Sequence, residues 1–289
     1  MKRRDFLKRA SAGALALNTL PARLAADTGQ KKLASDRILL GPRKVEVSRL
    51  AMGTGTDGVG GSSNQTRKLG LNGLADLFKA GYDQGVTFWD SADQYGTHPH
   101  LKAALKLGIP REKVTILTKT HASTEKEMRA DLDRFRRELG TDYIDILLLH
   151  CMLDGDWDQR KKGAMAVISE AQEKGIVRTK GVSCHTIEAL RTAARSPWVE
   201  VDLARFNPAQ VYMDDKVATV AAVLHDMKAQ GKGLIGMKVL GAGKLRDRPD
   251  EGLRFALTQS PVDCFTIGSE SRQELNDLIR RIPAASARA

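Results

Sequence analysis

Aromatic side chains are scarce. Phe, Trp and Tyr together make up 5% of the 289 residues, too little to line a large steroid-like pocket. Cysteine is scarcer still: Cys151, Cys184 and Cys264 are odd in number and widely spaced, so they form no disulfide framework. In a protein passed to an oxidising compartment, such thiols are expected to be buried or functional. Long hydrophobic runs are missing as well. The apolar stretch from Ala10 to Leu20 falls short of the ~20 residues that a bilayer span needs. No long low-complexity tract or fixed-period repeat stands out, which argues against a solenoid or a disordered chain.

Acids are outnumbered, 35 Asp and Glu against 46 Lys and Arg, for a formal net charge of +11. Residues 1–26 hold six of those bases and one acid, so +5 of the excess sits there and +6 is left for the rest. The remainder alternates acids and bases, with no RGG tract and no aromatic–basic interleaving. It reads as ordinary solvated faces, and no nucleic-acid partner is expected. A mildly positive surface does favour anionic ligands such as a phosphate. Hydrophobic residues at 42% provide the core of one large domain.

The chain starts Lys2-Arg3-Arg4-Asp5-Phe6-Leu7-Lys8 and continues into the weakly apolar stretch. Paired arginines, then Phe-Leu-Lys, then a short hydrophobic run make the pattern of a twin-arginine signal. The competing reading is a basic amphipathic helix. The signal reading makes residues 1–30 an address and linker, residues 31–289 the folded domain, the export machinery a partner and the periplasm the destination. No stable membrane span is expected after signal removal. Leu24-Ala25-Ala26 only approximates a cleavage site, and an uncleaved signal would anchor the protein. Because this route carries folded proteins, a cofactor installed before export would have to be held tightly.

From residue 37 onward, short apolar runs alternate with helical patterns. Strands are expected at 49–53, 86–89, 114–118, 143–149, 178–182, 201–206, 234–238 and 263–267. Helices are expected near 67–84, 98–107, 123–139, 161–174, 186–196, 216–230, 250–259 and 271–281. The runs Val114–Leu117 and Ile144–Leu149 are apolar except for Thr115 and Asp145, as in parallel strands covered on both faces. Eight strand–helix alternations predict an α/β fold, a (β/α)8 TIM barrel. Ahead of it, Arg37–Leu40 and Lys44–Ser48 around Gly41-Pro42 read as a hairpin that plugs the barrel.

Barrels of this type collect their chemistry at the C-terminal ends of the strands. Those ends carry Asp90, Lys119 and His150, with Tyr95 five residues beyond Asp90. Singly, each has a plain explanation: a helix cap, a solvated lysine, a barrel histidine and a surface ring. Together they form a proton-transfer device. A tyrosine titrates near 10; an ammonium beside it stabilises the phenolate, a carboxylate keeps that ammonium charged, and a histidine orients a carbonyl.

Phe88-Trp89-Asp90-Ser91-Ala92-Asp93-Gln94-Tyr95-Gly96 resembles the aldo-keto reductase segment that carries the catalytic Asp and Tyr. Ile116-Leu117-Thr118-Lys119 resembles the strand with the family's lysine. The run from Leu139 to His150 is similar to its strand-4 signature, and Gly175–Arg178 with Gly181-Val182-Ser183 is similar to strand 5. The resemblance covers roughly residues 37–280. It implies carbonyl/alcohol interconversion of a small molecule with NADP or NAD, and a tetrad of Asp90, Tyr95, Lys119 and His150 in which Tyr95 exchanges the proton.

The resemblance also implies a cofactor site. Gly53 and Thr54 fall beside the nicotinamide ribose, and Ser183 near the carboxamide. Lys238, Leu240, Gly241, Gly243 and Lys244 form the pyrophosphate loop. Gly268, Ser269, Ser271 and Arg272 grip the adenosine end. Three positions depart from the family pattern. Cys184 stands where an Asn usually follows Ser183, Leu203 where strand 6 usually has Gln, and Ser271, preceded by Glu270, where a base usually meets the 2′-phosphate. These departures keep two other readings open: a metal-dependent barrel using His150-Cys151 and Cys184-His185, and a non-catalytic ligand-binding barrel. Trp157 with Asp154, Asp156 and Asp158 reads as a substrate wall for a small polar molecule, such as a sugar derivative.

Overall fold

In a computed structural model, the described residues are 31–258 and 261–286. The twin-arginine motif and the apolar run behind it lie outside them.

The strands are β1 (Arg37–Leu40), β2 (Val45–Ser48), β3 (Leu50–Gly53), β4 (Phe88–Asp90), β5 (Thr115–Thr120), β6 (Ile144–Met152), β7 (Val177–Cys184), β8 (Val201–Arg205), β9 (Gly233–Met237) and β10 (Cys264–Gly268). The helices are α1 (Asn64–Tyr82), α2 (His98–Leu105), α3 (Glu125–Leu139), α4 (Trp157–Arg160), α5 (Lys162–Glu173), α6 (Ile187–Arg195), α7 (Val217–Ala229), α8 (Pro249–Thr258) and α9 (Arg272–Ser286). Strands β3 to β10 close into a parallel barrel, in which β10 pairs with both β9 and β3. The fold is the (β/α)8 barrel expected from the alternation, with boundaries shifted by up to three residues and by five at the end of α9.

Its sides follow from the side-chain period of two along each strand. In β6, Ile146 and Leu148 point into the barrel while Leu147 and Leu149 pack under the helices, which is why the sequence there is apolar without a break. Helix α3 shows how the outer layer docks. Thr124 and Glu127 close a capping box, Gly140 ends the helix with φ 68°, and Met128, Leu132, Phe135 and Leu139 form one buried stripe. Full burial of each such side chain contributes about 1.5–3 kcal/mol. The β1–β2 hairpin closes the N-terminal end of the barrel. Its Leu40, Val45 and Val47 join the interior cluster of Phe88, Leu117 and Leu203, and Glu46 O accepts from the Thr115 hydroxyl at 2.6 Å.

Two aspartates interrupt apolar strands. Asp145 is buried but well supplied: Oδ2 accepts from Arg111 Nη2 at 2.6 Å and from the Ile116 amide at 2.9 Å. Arg178 Nη1 lies 3.0 Å from Oδ1, an ion-pair distance without hydrogen-bond alignment. Asp202 in β8 is the opposite case. It is fully buried on the helix side, and neither carboxyl oxygen has a hydrogen-bond partner among the described residues. Burial, reinforced by the Asp214 carboxylate, pushes its pKa up to about 8.

That shift has a definite sign. The unfolded carboxyl ionises near pH 4 and the folded one near pH 8, so the folded state binds the extra proton between them and stability falls as pH rises through that window. Asp202→Asn is therefore expected to raise stability by about a few kcal/mol at pH 8 and by nothing below about pH 4. Urea unfolding of both proteins across pH 4–8 checks this; a difference that does not change with pH would contradict it.

Candidate active site

The four strand-end residues converge at the C-terminal mouth of the barrel. Lys119 is 1% exposed, and its Nζ donates to Asp90 Oδ1 at 2.5 Å and to the Ser91 carbonyl at 2.7 Å. Asp90 Oδ2 accepts from the Thr266 hydroxyl at 2.8 Å, so β4, β5 and β10 are joined by one carboxylate. Asp90 is thus a partner of the lysine rather than a helix cap.

Tyr95 closes a short 3₁₀ turn, Asp93–Tyr95, that ends on Gly96 at φ 63°. Arg134 of α3 holds the turn by donating to both oxygens of Asp93, at 2.6 and 2.9 Å. The phenolic oxygen lies 3.4 Å from His150 Nε2, and Lys119 Nζ is 4.9 Å from the ring centroid. The sequence predicts that the ammonium draws the phenol's pKa down. The structure reverses the net direction: burial raises it, Lys119 opposes, Asp90 adds to the rise, and the phenol stays protonated at neutral pH. For Lys119, burial disfavours the charge, but Asp90 and Tyr95 outweigh it and the pKa rises.

His150 is buried, edge-on to Tyr95 and stacked on His121 at 4.8 Å between centroids. Burial, and then the Lys119 charge, hold its pKa well below the usual value. His185 is driven down to about 3 by burial and the Arg205 guanidinium. Both rings are neutral at pH 7.

The C-terminal end of β6 is irregular. The β6–β7 register shifts between Leu149 and Met152, and Cys151 adopts φ 61°. Neighbours on a regular strand face opposite ways, so the sequence places only one of His150 and Cys151 at the mouth. The shift brings in both, with Cys151 Sγ 3.1 Å from His185 Nδ1. Cys184 points the other way, fully buried under the helices, where burial raises its thiol pKa further. The two Cys–His pairs expected by the metal reading therefore do not gather. Among the described residues, no group of three or more His, Cys, Asp and Glu is placed to hold a metal.

The residues assigned to the cofactor line the same end of the barrel. Gly53 pairs with Gly268 across β3 and β10. The Thr54 hydroxyl donates to the Asp90 carbonyl at 2.9 Å and meets Thr97. Ser183 is buried and accepts the Cys151 amide at 2.9 Å. Lys238, at φ 56°, is half-buried over the Tyr212 ring. The amides of Gly241, Gly243 and Lys244 close turns onto the carbonyls of Lys238, Leu240 and Gly241. Ser269 is buried, and Ser271 caps α9 through the Glu274 amide at 3.1 Å. Arg272 is exposed. Glu270 accepts from Asn64 at 2.9 Å and pairs with Lys68. With Lys238 half-buried, Lys244 exposed and open space where a side chain at Gly243 would stand, this rim fits an anionic pyrophosphate.

Trp157 is not a wall. It is 1% exposed in the barrel–helix core with Nε1 donating to Ala189 O at 3.1 Å, while Asp154 and Asp156 pair with Arg160. Sequence reasoning passed over three residues that shape the mouth: Thr266, Arg205 and Gln94. Arg205 donates to Asp214 Oδ1 at 2.7 Å and to the His185 carbonyl. A lone arginine ending an apolar strand is a signal that could have found it.

The sequence matches the aldo/keto reductase family over residues 51–284. D-threo-aldose 1-dehydrogenase of a Pseudomonas species is 24% identical over 249 residues, covering 74% of this chain and 73% of that protein. NAD/NADP-dependent indole-3-acetaldehyde reductase of Schizosaccharomyces pombe is 29% identical over 212 residues, covering 71% and 67%. An aldo-keto reductase from Bacillus halodurans, solved in its holo form, superposes with a TM-score of 0.68 at 14% identity, covering 86% of this chain and 91% of that one. At that identity the likeness speaks for the fold alone.

The histidine environment gives a direct check. In proton NMR titrations His185 should remain neutral down to pH 5 and His150 should titrate well below the usual histidine range; a midpoint near 6.5 for either would contradict the desolvated, cation-facing placement.

Proposed function

From the premise that this chain belongs to the aldo-keto reductase family and is an NAD(P)-dependent oxidoreductase of carbonyls and alcohols, we propose that Tyr95 exchanges the proton with a small polar substrate and that the cofactor is preferentially NAD(H). The carrying observation is the convergence of Tyr95 OH, His150 Nε2 and the Lys119–Asp90 pair at one mouth. A nicotinamide cofactor held by the rim around Lys238, Gly243 and Lys244 would supply the hydride-transfer chemistry. In reduction, His150 with its proton on Nε2 donates to the carbonyl oxygen and orients it. Tyr95 gives that oxygen its proton, and the alcohol leaves. Lys119 stabilises the phenolate left behind, while Asp90 and Thr266 keep the ammonium charged and aimed. A phenol held protonated suits the reductive direction, since the acid form is the one populated at neutral pH.

The mouth offers neutral hydrogen-bonding groups, His121, His185, Gln94 and Cys151, rather than an apolar slot. That supports a small hydroxylated substrate, such as a sugar derivative, and one similar protein carries the name of an aldose dehydrogenase. At the adenosine end, Glu270 and Glu274 put two carboxylates where a 2′-phosphate would add further negative charge. The twin-arginine pattern supports action in the periplasm, with the cofactor carried in by the folded protein.

Two variants test the reading. Tyr95→Phe is expected to lower kcat by about 10²–10⁴ while cofactor affinity, read by fluorescence titration, stays within about twofold; retained turnover removes Tyr95 from the chemistry. Glu270→Gln is expected to improve NADPH binding relative to NADH by about tenfold, or ~1.4 kcal/mol, because it also frees Lys68 to meet the phosphate. An unchanged ratio of the two dissociation constants would sink the NAD(H) assignment.

A further inference from the structure

The loop after β3 reads Gly55-Thr56-Asp57-Gly58-Val59-Gly60-Gly61, and nothing above explains its glycines. They differ in their surroundings. A methyl group built on Gly55 would enter the Tyr95 ring and stand 2.9 Å from its hydroxyl oxygen. One built on Gly58 would also fall inside the ring, 2.9 Å from Cε1. Gly60, by contrast, faces open space. The backbone at Gly55 and Gly58 therefore lies directly against the ring, at a separation no side chain permits.

Hydrogen bonds fix that contact at both ends. The Gly61 amide donates to the Gln94 carbonyl at 2.9 Å, and Gln94 Nε2 donates back to the Gly58 carbonyl at 3.2 Å. Gly96, just past the tyrosine, abuts the Gly61 carbonyl too closely for any Cβ. The loop base is held by Gln65, which is fully buried, exchanges hydrogen bonds with Thr56 and packs against Gly268. The tip closes on itself between Val59 and Ser62.

We propose that residues 55–61 form a backbone clamp that positions Tyr95 for proton transfer, with Gly55 and Gly58 as its positioning residues. The clamp leaves the ring little room to swing and shields it from water. Shielding is the first cause of the raised phenol pKa, so the loop sets both the aim and the protonation of the acid. A displacement of about 1 Å at a reacting group costs on the order of 10²-fold in rate, and one added methyl against the ring is enough for a shift of that size.

The inference rests on Tyr95 being the proton donor, but its first readout does not require turnover. In protein labelled with 3-fluorotyrosine, whose phenols titrate lower than tyrosine, the Tyr95 fluorine resonance is identified by its loss in Tyr95→Phe. Gly58→Ala should move that resonance and lower its titration midpoint relative to the labelled parent. Gln94→Ala, which adds no bulk and removes one anchor of the clamp, should do the same to a smaller extent and covers the case in which Gly58→Ala fails to fold. In kinetics, Gly58→Ala should reduce kcat by roughly 10–100-fold with KM within about threefold. In a Tyr95→Phe background it should cause no further loss. An unmoved midpoint in both variants, or an equal loss with and without the tyrosine hydroxyl, overturns the clamp. Full turnover in Tyr95→Phe alone would instead overturn the proposed chemistry, leaving the fluorine result to judge the loop.

Discussion

Lys119 and Asp90 form an ion pair inside the mouth of the barrel, and both partners are almost wholly removed from water. Burying either alone costs several kcal/mol, a cost offset only when the partner and the remaining hydrogen bonds are all in place. Here they are: the ammonium also meets the Ser91 carbonyl, and the carboxylate's second oxygen meets Thr266. The rest of the site depends on this arrangement. The pair joins β4, β5 and β10, and the Thr54 and Ser91 hydroxyls meet at Thr97 around it. It also places a fixed positive charge close to Tyr95 and to His150. That charge opposes the rise in the tyrosine's pKa and deepens the fall in the histidine's. One buried pair thus adds to burial in keeping the imidazole neutral and sets a cation where a phenolate would be stabilised.

The fold was legible because its signals are periodic. Apolar strand runs such as Ile146–Leu149 and striped helices such as α3 repeat the same solution around the barrel, and shifts of a few residues at the ends do not alter it. The convergence of Asp90, Lys119 and His150 was legible for a related reason: position at a strand end fixes the place of a side chain to within the width of the mouth. What escaped depended on local geometry that no period encodes. A single register shift in β6 turned Cys151 into the mouth, contrary to the alternation rule. Trp157 looks like a surface indole among acids, but its helix of four residues inserts it into the core. The direction of the tyrosine's pKa was also beyond sequence, because it depends on how far burial outweighs the neighbouring ammonium.

The departures from the family pattern acquire a common sense in the structure. Leu203 faces the barrel interior, where an amide would otherwise hang from strand β8. Two residues later on the same face, Arg205 reaches the mouth and is fixed by Asp214 and the His185 carbonyl. Cys184, lacking the amide expected after Ser183, points outward beside Asp202 instead. At the mouth the ends of these strands instead bring a guanidinium, an imidazole and the Cys151 thiol, with Arg205 bound to the backbone carbonyl of His185 and Cys151 to its ring. This part of the mouth is therefore built from different groups than the amides the family resemblance implies, whereas Asp90, Tyr95, Lys119 and His150, proposed for proton transfer, match it.

That asymmetry bears on selectivity. Groups that transfer a proton must satisfy a narrow relation of charge and distance, so a loop of bare backbone against Tyr95 and a buried ion pair behind it allow little variation. Groups that meet the rest of the substrate need only present complementary donors and acceptors, and a site that hydrogen-bonds a hydroxyl rejects an analogue lacking it far more strongly than an apolar pocket rejects a missing methylene. A mouth lined by His121, His185 and Gln94 is of the first kind. An apolar molecule entering such a mouth would leave those groups desolvated and unpaired.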